Sequence, residues 1–452
     1  MSDLAAPSST DLAAAVEGRT AEEIASSIAR HIRQVPLPAG TPLPTVRSLA
    51  TELGVSASTV SDSWRILRSR GVIHTDRRRG TTVRPDRAGT GERAWHVPVE
   101  PGALAVDLST GTPDPALLPD LGDALLQATD QHQVTSYLDR PVIPALEVEL
   151  RRRWPFDAGR ITLLDGAQDA LDRLIDTTVA YGDRVIVENP TFPPILDMLE
   201  LAGADVIGVP VDDEGPDVDA VVAALAHEPT VAIFQPRAHN PTGVAISEAR
   251  AARLAELLAE AGVLVIEDDH SGMVAGAPLH SLGVHRPDST VHVHSFSKSH
   301  GPDLRLAAVG GPVEIIDAMV RRRQLGPSWT SRLLQRVLLG LLTDPAADAS
   351  VEQAESAYLR RRNAFVDELR SAGVEVDAGR SGLNVWVPVD DERDAVVALA
   401  AAGIGAAPGE PFVVGRADDA HIRLTISRVD DPRVAAHAVA RAARRGGGTA
   451  GR

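Results

Sequence analysis

Apolar and polar positions divide the chain into regimes of different period. Residues 1–17 are small, polar and alanine-rich, and are expected to form a disordered tail. From Thr20, the apolar positions Ile24, Ile28 and Ile32 recur at four-residue spacing, which predicts one face of a helix. Leu37-Pro38-Ala39-Gly40 stops that face. Thr45 is suited to cap a second helix, with Val46 and Leu49 inward and Gly54 at its end. A third runs to about Arg70 with Val60, Trp64 and Leu67 inward, capped by Gly71. Val72-Ile73, a turn at Arg77-Arg78-Arg79-Gly80, and Thr81-Thr82-Val83 predict a hairpin. Residues 85–104 hold three prolines and few periodic apolar positions, and read as a linker.

Beyond the linker, strand-like runs alternate with helical stretches. The runs are Arg184–Glu188, Asp205–Val209, Thr230–Phe234, Val263–Glu267 and Val291–His294. That alternation predicts an α/β fold with a mostly parallel sheet. Further on, Arg332–Leu342 and Glu352–Leu369 read as helices, Val374–Val376 and Leu383–Val387 as strands, residues 396–402 as a helix, and His421–Ser427 as a strand. The chain is therefore multidomain α/β, with a tail 1–17, a basic module 18–86, a linker 87–104, a large domain 105–330, a small domain 331–445 and a flexible tail 446–452.

Charge sharpens this division. The net charge is −17, yet residues 18–87 hold 12 arginines against 6 acids, or +6, leaving −17 − 6 = −23 for the rest. A small basic module is attached to a large acidic body. There is no cysteine, which excludes disulfides, thiolate metal sites and a cysteine nucleophile. The first residues carry no signal-peptide pattern, and no apolar run approaches the roughly 20 residues of a membrane helix, so a cytoplasmic protein with no membrane partner is expected.

Helix, glycine-containing turn, helix and basic hairpin make a winged helix-turn-helix. Ser58, Thr59 and Ser61 at the start of the third helix, with Ser56 just before it, are short donors suited to a major groove. Arg47, Arg65, Arg77, Arg78 and Arg79, with Gly80 in the wing, can neutralise and approach phosphates of double-stranded operator DNA. A helical protein-interaction domain is the alternative. The segments Leu43-Pro44-Thr45-Val46-Arg47, Gly54-Val55-Ser56, Thr59-Val60 and Gly80 with Val83 resemble the winged helix of the GntR family of bacterial regulators. The resemblance departs at Ala57, where relatives often carry a basic residue.

Lys298 is the only lysine among 452 residues. A primary amine can lose its proton and condense with an aldehyde, which a guanidinium does not do. Polar residues gather at the exits of the predicted strands, where α/β sheets bind ligands. Gly166-Ala167-Gln168 opens a helix with free amides, Phe192 follows one strand, Asn240-Pro241-Thr242-Gly243 another, and Glu267-Asp268-Asp269 a third. Phe192 alone reads more readily as core. The acidic trio is a solvated loop charge, a metal ligand or a partner for a cationic nitrogen; no second acidic or histidine cluster with ligand spacing accompanies it, so no metal is expected. Ser295, Ser297 and Arg305 flank Lys298 with what a phosphate dianion requires. Arg423 among apolar residues reads alone as an edge-strand surface charge or a functional group.

The order of these segments resembles a class I/II aminotransferase of the aspartate-aminotransferase-type fold, with a large domain on a mostly parallel sheet and a small α/β C-terminal domain. The resemblance implies pyridoxal 5′-phosphate as cofactor. It implies Lys298 as Schiff-base lysine, Asp268 on the pyridine nitrogen, Asn240 on the ring hydroxyl and Phe192 stacked on the ring. It implies Ala167, Gln168, Ser295, Ser297 and Arg305 on the phosphate, Tyr137 reaching the phosphate of a second subunit in a homodimer, and Arg423 on an α-carboxylate. His270 stands where the family has a tyrosine that donates to the ring hydroxyl, a role a histidine can also fill.

A GntR-type winged helix ahead of such a domain resembles the MocR group of regulators. That implies a transcription factor sensing the cofactor, an amino acid or an amine. A working aminotransferase with an autoregulatory DNA-binding domain is the alternative, and a non-catalytic assembly with structural cofactor is a third.

Overall fold

A computed structural model describes residues 7–35, 40–69, 72–76, 80–83, 93, 104–129, 136, 139–376, 379, 381–416 and 419–444. The chain divides into two units, 1–91 and 92–452. Among the described residues, no helix is long and apolar enough to cross a membrane.

The first unit follows its caps. Thr20 accepts the Glu23 amide while Glu23 reaches back to the Thr20 amide, starting the helix Ala21–Gln34. Thr45 caps Val46–Leu53, which ends on Gly54 at φ 63°. The Ser56 hydroxyl accepts the Thr59 amide at 3.1 Å as Ala57–Ser69 begins. Strands Ile73–Asp76 and Gly80–Val83 pair antiparallel. Ile24, Ile28, Leu49, Val60, Trp64, Leu67, Ile73 and Val83 form one core.

One expectation fails here. Within the supposedly disordered tail, Ser9–Ala14 is a helix with a Ser8–Asp11 capping box, and Leu12 is fully buried in that core. A six-residue helix with one buried apolar side chain has no period to read, so tertiary packing alone reveals it. The expected linker 87–104 apart from residues 93 and 104, the tail after residue 444, and Gly71 lie outside the described residues.

In the second unit, eight strands form one sheet in the order Arg160–Leu164, Ala307–Gly311, Thr290–Ser295, Leu264–Asp269, Val231–Phe234, Arg184–Asn189, Asp205–Asp212, Gly215–Pro216. The five strands from Thr290–Ser295 to Asp205–Asp212 are mutually parallel, and Ala307–Gly311 is antiparallel to both neighbours. Helices cover both faces, which is why the central strands are continuous Val/Ile runs rather than alternating ones. Arg160–Leu164 and Ala307–Gly311 carried no strand signal strong enough to read. The second is built of Ala, Val and Gly because a Cβ on Gly310 would meet Trp154 at 2.7 Å and one on Gly311 the Thr290 carbonyl at 2.7 Å.

The small domain is a three-stranded antiparallel sheet, Asn384–Pro388, His421–Thr425 and Ala407–Pro408, with His421–Thr425 central. Two expected boundaries shift. Val106–Asp107 pairs with Ile404–Gly405 and Leu108 lies in the small-domain core, so the chain enters through that domain first. Helix Arg332–Thr343, expected in the small domain, places Val337, Leu338, Leu341 and Leu342 in the core of Leu146, Ile161 and Phe296 of the large one. Val374–Val376 is not a strand; both valines pack into the small-domain core from a loop.

Leu12→Ala should destabilise the first unit by about 2–5 kcal/mol, the range for emptying a buried leucine site. Native-state hydrogen exchange of Val46–Leu53 checks it; unchanged protection would show that the N-terminal helix contributes nothing to that core.

Candidate functional site

The candidate site is built at the carboxyl ends of parallel strands, where four loops converge. Asp268 leaves Leu264–Asp269 on the opposite face from Glu267 and Asp269, because side chains alternate along a strand. It is 1% exposed, and its Oδ1 has no hydrogen-bond partner in the protein. Burial pushes its carboxyl up to about 7; Lys298 opposes the shift and Asp269 adds to it. Lys298, after the adjacent strand Thr290–Ser295, is lowered to about 8 by burial, against the pull of Asp268 and with the help of Arg423. The structure thus brings Asp268, Lys298 and Arg423 within electrostatic reach. At about 8 an appreciable share of the amine is unprotonated near neutral pH, as nucleophilic attack requires.

A second group forms around Gly166. This glycine adopts φ 101° as it opens helix Ala167–Thr178, with no side chain capping the first amides. Any Cβ there would lie 3.3 Å from the Arg305 guanidinium, so the glycine admits an arginine against a helix N-terminus. Ser295 is buried, and its hydroxyl accepts the Ser297 amide at 3.3 Å. Partial positive charge from the helix and full charge from Arg305 make an anion cradle.

On the other side of Asp268 from Gly166, after the neighbouring strand Val231–Phe234, comes the turn 235–243. The Asn240 amide N–H donates to Gln235 Oε1 at 2.6 Å, while Asn240 Oδ1 is buried without a partner. Beneath it, the His239–Thr242 pair at 2.7 Å and Glu188, which accepts the Gln235 amide at 2.9 Å, hold the turn. Burial lowers the His239 imidazole to about 3 and raises Glu188 well above the usual carboxylate range. Glu188, Gln235 and His239 were not singled out from sequence, since each is one polar residue at an apolar strand's end. Phe192 caps helix Pro193–Ala202 and packs on the large-domain core.

His270 departs from expectation. Its Nε2 lies 2.9 Å from the Ala238 carbonyl, which can only accept, so the proton sits there; Nδ1 accepts from the Ser271 hydroxyl at 3.2 Å. Burial first and Lys298 second lower the ring to about 3, so it is neutral with both nitrogens engaged. It is not available in this arrangement as the donor expected at a ring hydroxyl.

Arg423 is not an edge charge. It lies on the central strand, 1% exposed, donating to Thr425 Oγ1 at 2.6 Å and to the Ser109 carbonyl at 2.6 Å, with its guanidinium 5.5 Å from the Phe412 ring centre. Burial lowers it to about 10. Ser109, Asn384 and Thr425 complete its shell and were missed, because only folding brings them together.

In the first unit, Arg47, Ser56, Ser58, Ser61 and Gly80 are exposed and Thr59 is half-buried. Ser56 is within 2.7 Å of both Ser58 and Thr59 hydroxyls. Arg65 is paired with Asp62, an exposed pair of small worth that a phosphate can replace. Arg77, Arg78, Arg79 and Tyr137 lie outside the described residues.

Acylation of Lys298, followed by peptide mass spectrometry, should titrate with a midpoint near 8. A midpoint at the ordinary 10.5 would show that burial does not act on this amine.

Residues 105–440 match the family "Aminotransferase class I and II", and residues 20–83 match "Bacterial regulatory proteins, gntR family". The vitamin B6 salvage pathway transcriptional repressor PtsJ of Salmonella typhimurium is 34% identical over 93% of this chain and 97% of its own length. The pyridoxine biosynthesis transcriptional regulator PdxR of Corynebacterium glutamicum is 26% identical over 91% of this chain and 94% of its own. Among solved structures, the aspartate aminotransferase of Thermus thermophilus with maleate superposes at TM-score 0.68, with 26% identity, over 75% of this chain and 92% of its own. The α-aminoadipate aminotransferase LysN of Thermus thermophilus, complexed with N-(5′-phosphopyridoxyl)-L-leucine, superposes at TM-score 0.70 with 21% identity, over 78% of this chain and 96% of its own. The chain belongs to the class I and II aminotransferase family, in the MocR-type group of transcriptional regulators that carry a GntR-type winged helix ahead of the aminotransferase-like domain.

Proposed function

We propose that the chain is a DNA-binding transcriptional regulator whose aminotransferase-like domain binds pyridoxal 5′-phosphate and responds to the cofactor, an amino acid or an amine. The observation that carries this reading is Asp268 facing Lys298 beside an arginine-lined helix N-terminus, on a chain that also carries a winged helix. The residues fit the group. The orphaned Asp268 Oδ1 calls for a cationic N–H donor, which a pyridinium supplies. Gly166, Ala167, Gln168, Ser295, Ser297 and Arg305 suit its phosphate, and Asn240, whose Oδ1 is buried without a partner, and Phe192 would contact its ring from the strands on the other side of Asp268. Bound there, the cofactor supplies an aldehyde that an amine can capture and a ring that withdraws electrons.

The protein's own part is to position and to titrate. Asp268 holds a proton on the ring nitrogen, Lys298 presents a partly unprotonated amine, and Arg423 offers two N–H groups to an effector carboxylate. Such a carboxylate would compete with Thr425 and Ser109 for Arg423, so binding alters hydrogen bonds that join the chain's entry segment to the small-domain sheet. A homodimer reading paired operator half-sites is part of the proposal.

A working transaminase is the second reading, favoured by the intact Lys298, Asp268 and Arg423 set. Engagement of both His270 nitrogens weighs against it.

Purified chain should acquire a visible absorbance band with pyridoxal phosphate that Lys298→Ala lacks; identical spectra would sink the cofactor assignment. Arg423→Gln should weaken the spectral response to amino acids about ten- to a hundredfold, the loss of one charged hydrogen-bond pair, while the response to simple amines stays. Operator affinity should fall steeply with salt, and Arg47→Ala should lower that slope by about one. Salt-insensitive or absent binding would remove the DNA-reading role, and multiple-turnover exchange between an amino acid and a 2-oxo acid would favour the transaminase.

A further inference from the structure

On the sheet face opposite Lys298, three donors from two neighbouring strands meet. Asp269 ends Leu264–Asp269, and His292 and His294 alternate along Thr290–Ser295, paired in register with Glu267 and Asp269. One ligand atom from each of Asp269, His292 and His294 lies within 4.8 Å of the others. No such cluster is legible in the sequence, because 22 residues of chain separate Asp269 from His292 and only strand pairing closes the gap.

The orientation of His292 points to a ligand. Its Nδ1 lies 2.8 Å from Glu267 Oε2. Glu267 also accepts the Ser281 hydroxyl at 2.7 Å and the Leu282 amide at 2.7 Å, so it behaves as an acceptor and His292 Nδ1 carries the proton. Nε2 is then a bare lone pair. It is wholly buried, has no hydrogen-bond partner, and faces Asp269 Oδ2 at 3.8 Å. A buried imidazole whose N–H is held by a carboxylate and whose second nitrogen is unsatisfied has the geometry of a metal-binding histidine. On the other side of Oδ2, His294 Nδ1 stands at 3.0 Å. Tetrahedral coordination with bonds of about 2.0–2.1 Å sets neighbouring ligand atoms about 3.3 Å apart. The two measured separations bracket that value.

Arg237 fixes the carboxylate from its far edge, with Nε on Oδ1 at 3.0 Å and Nη2 on Oδ2 at 2.9 Å. An oxygen has two lone pairs; on Oδ2 one accepts from Arg237, and the other, which faces His294 Nδ1 at 3.0 Å, becomes available to a cation once the His294 proton moves to Nε2. His292 and His294 also line a cavity of about 160 Å³ with Arg153, Trp154, Arg237 and Phe296, into which a fourth coordination position would open.

We propose that Asp269 Oδ2, His292 Nε2 and His294 Nδ1 bind one divalent transition ion of the zinc type, with Glu267 orienting His292 and the fourth position open to the cavity. Two imidazoles and one carboxylate suit Zn²⁺ or Co²⁺, whereas Mg²⁺ and Ca²⁺ require oxygen donors. When the ion enters, His294 shifts its proton from Nδ1 to Nε2, so both ligand histidines stay neutral and no proton is released from them.

The test uses untagged full-length chain, stripped with a chelator, equilibrated with Zn²⁺ or Co²⁺ at neutral pH and desalted. About one ion per chain should remain by elemental analysis, and the Co²⁺ form should show the visible bands of a tetrahedral centre. His292→Phe and His294→Phe should each abolish both signals, and Glu267→Gln should weaken binding about ten- to a hundredfold, as loss of an orienting carboxylate does. Lys298→Ala, on the other face, should retain the ion. Circular dichroism and the pyridoxal-phosphate band of each variant separate loss of the ion from loss of fold. No retained ion in the wild type, or equal retention in the folded histidine variants, overturns the proposal.

Discussion

Three carboxylates in succession at the end of a buried strand are the constraint around which the large domain is organised. Glu267, Asp268 and Asp269 are each at most 1% exposed. An ionised carboxylate taken out of water without partners is destabilising by several kcal/mol, so the strands on either side must bring compensation. Thr290–Ser295 on one side brings His292 and His294, and then Lys298; the loop after Val231–Phe234 on the other brings Arg237 and Asn240. Strand alternation divides these partners between two faces. Asp269 and Glu267 are satisfied on one, and Asp268 meets Lys298 on the other, with one oxygen left over.

That division gives the two faces different chemistry. Asp269 is held well below the usual carboxylate range by Arg237 and His294 despite its burial. Asp268, with less compensation, is pushed up to about 7. Two adjacent residues of the same type thus titrate in opposite directions because their neighbours differ. A carboxyl short of partners beside an amine short of solvent is poised to take up a ligand rather than to hold the fold.

Arg423 joins segments beyond the sheet. It is buried in the small domain, contributes to lowering Lys298 in the large one, and binds the carbonyl of Ser109 in the entry segment. Asp114, farther along that segment, is tied to the long helix Pro345–Ser371 by Tyr358 at 2.9 Å and Arg361 at 2.8 Å. The link from there to the winged helix passes through residues that carry prolines and little periodic apolar character, as suits a connection between separately folded units.

The sequence alone determined whatever depends on local chemistry and period. The cap at Thr45, the glycine at 54 and the i, i+4 isoleucines specify the winged helix, since each acts within one helical turn. The lone lysine, the Asn240–Gly243 turn and Asp268 were readable because strand ends are marked by where apolar runs stop. Only the tertiary structure decided what depends on contact between distant segments. It buried Leu12, moved Arg332–Thr343 into the large domain, engaged both nitrogens of His270, and placed Arg423 at the centre of its sheet. It also set two histidines beside Asp269. Pairing across strands and burial against a remote surface leave no period in the chain, so these features become visible only when the sheet is assembled.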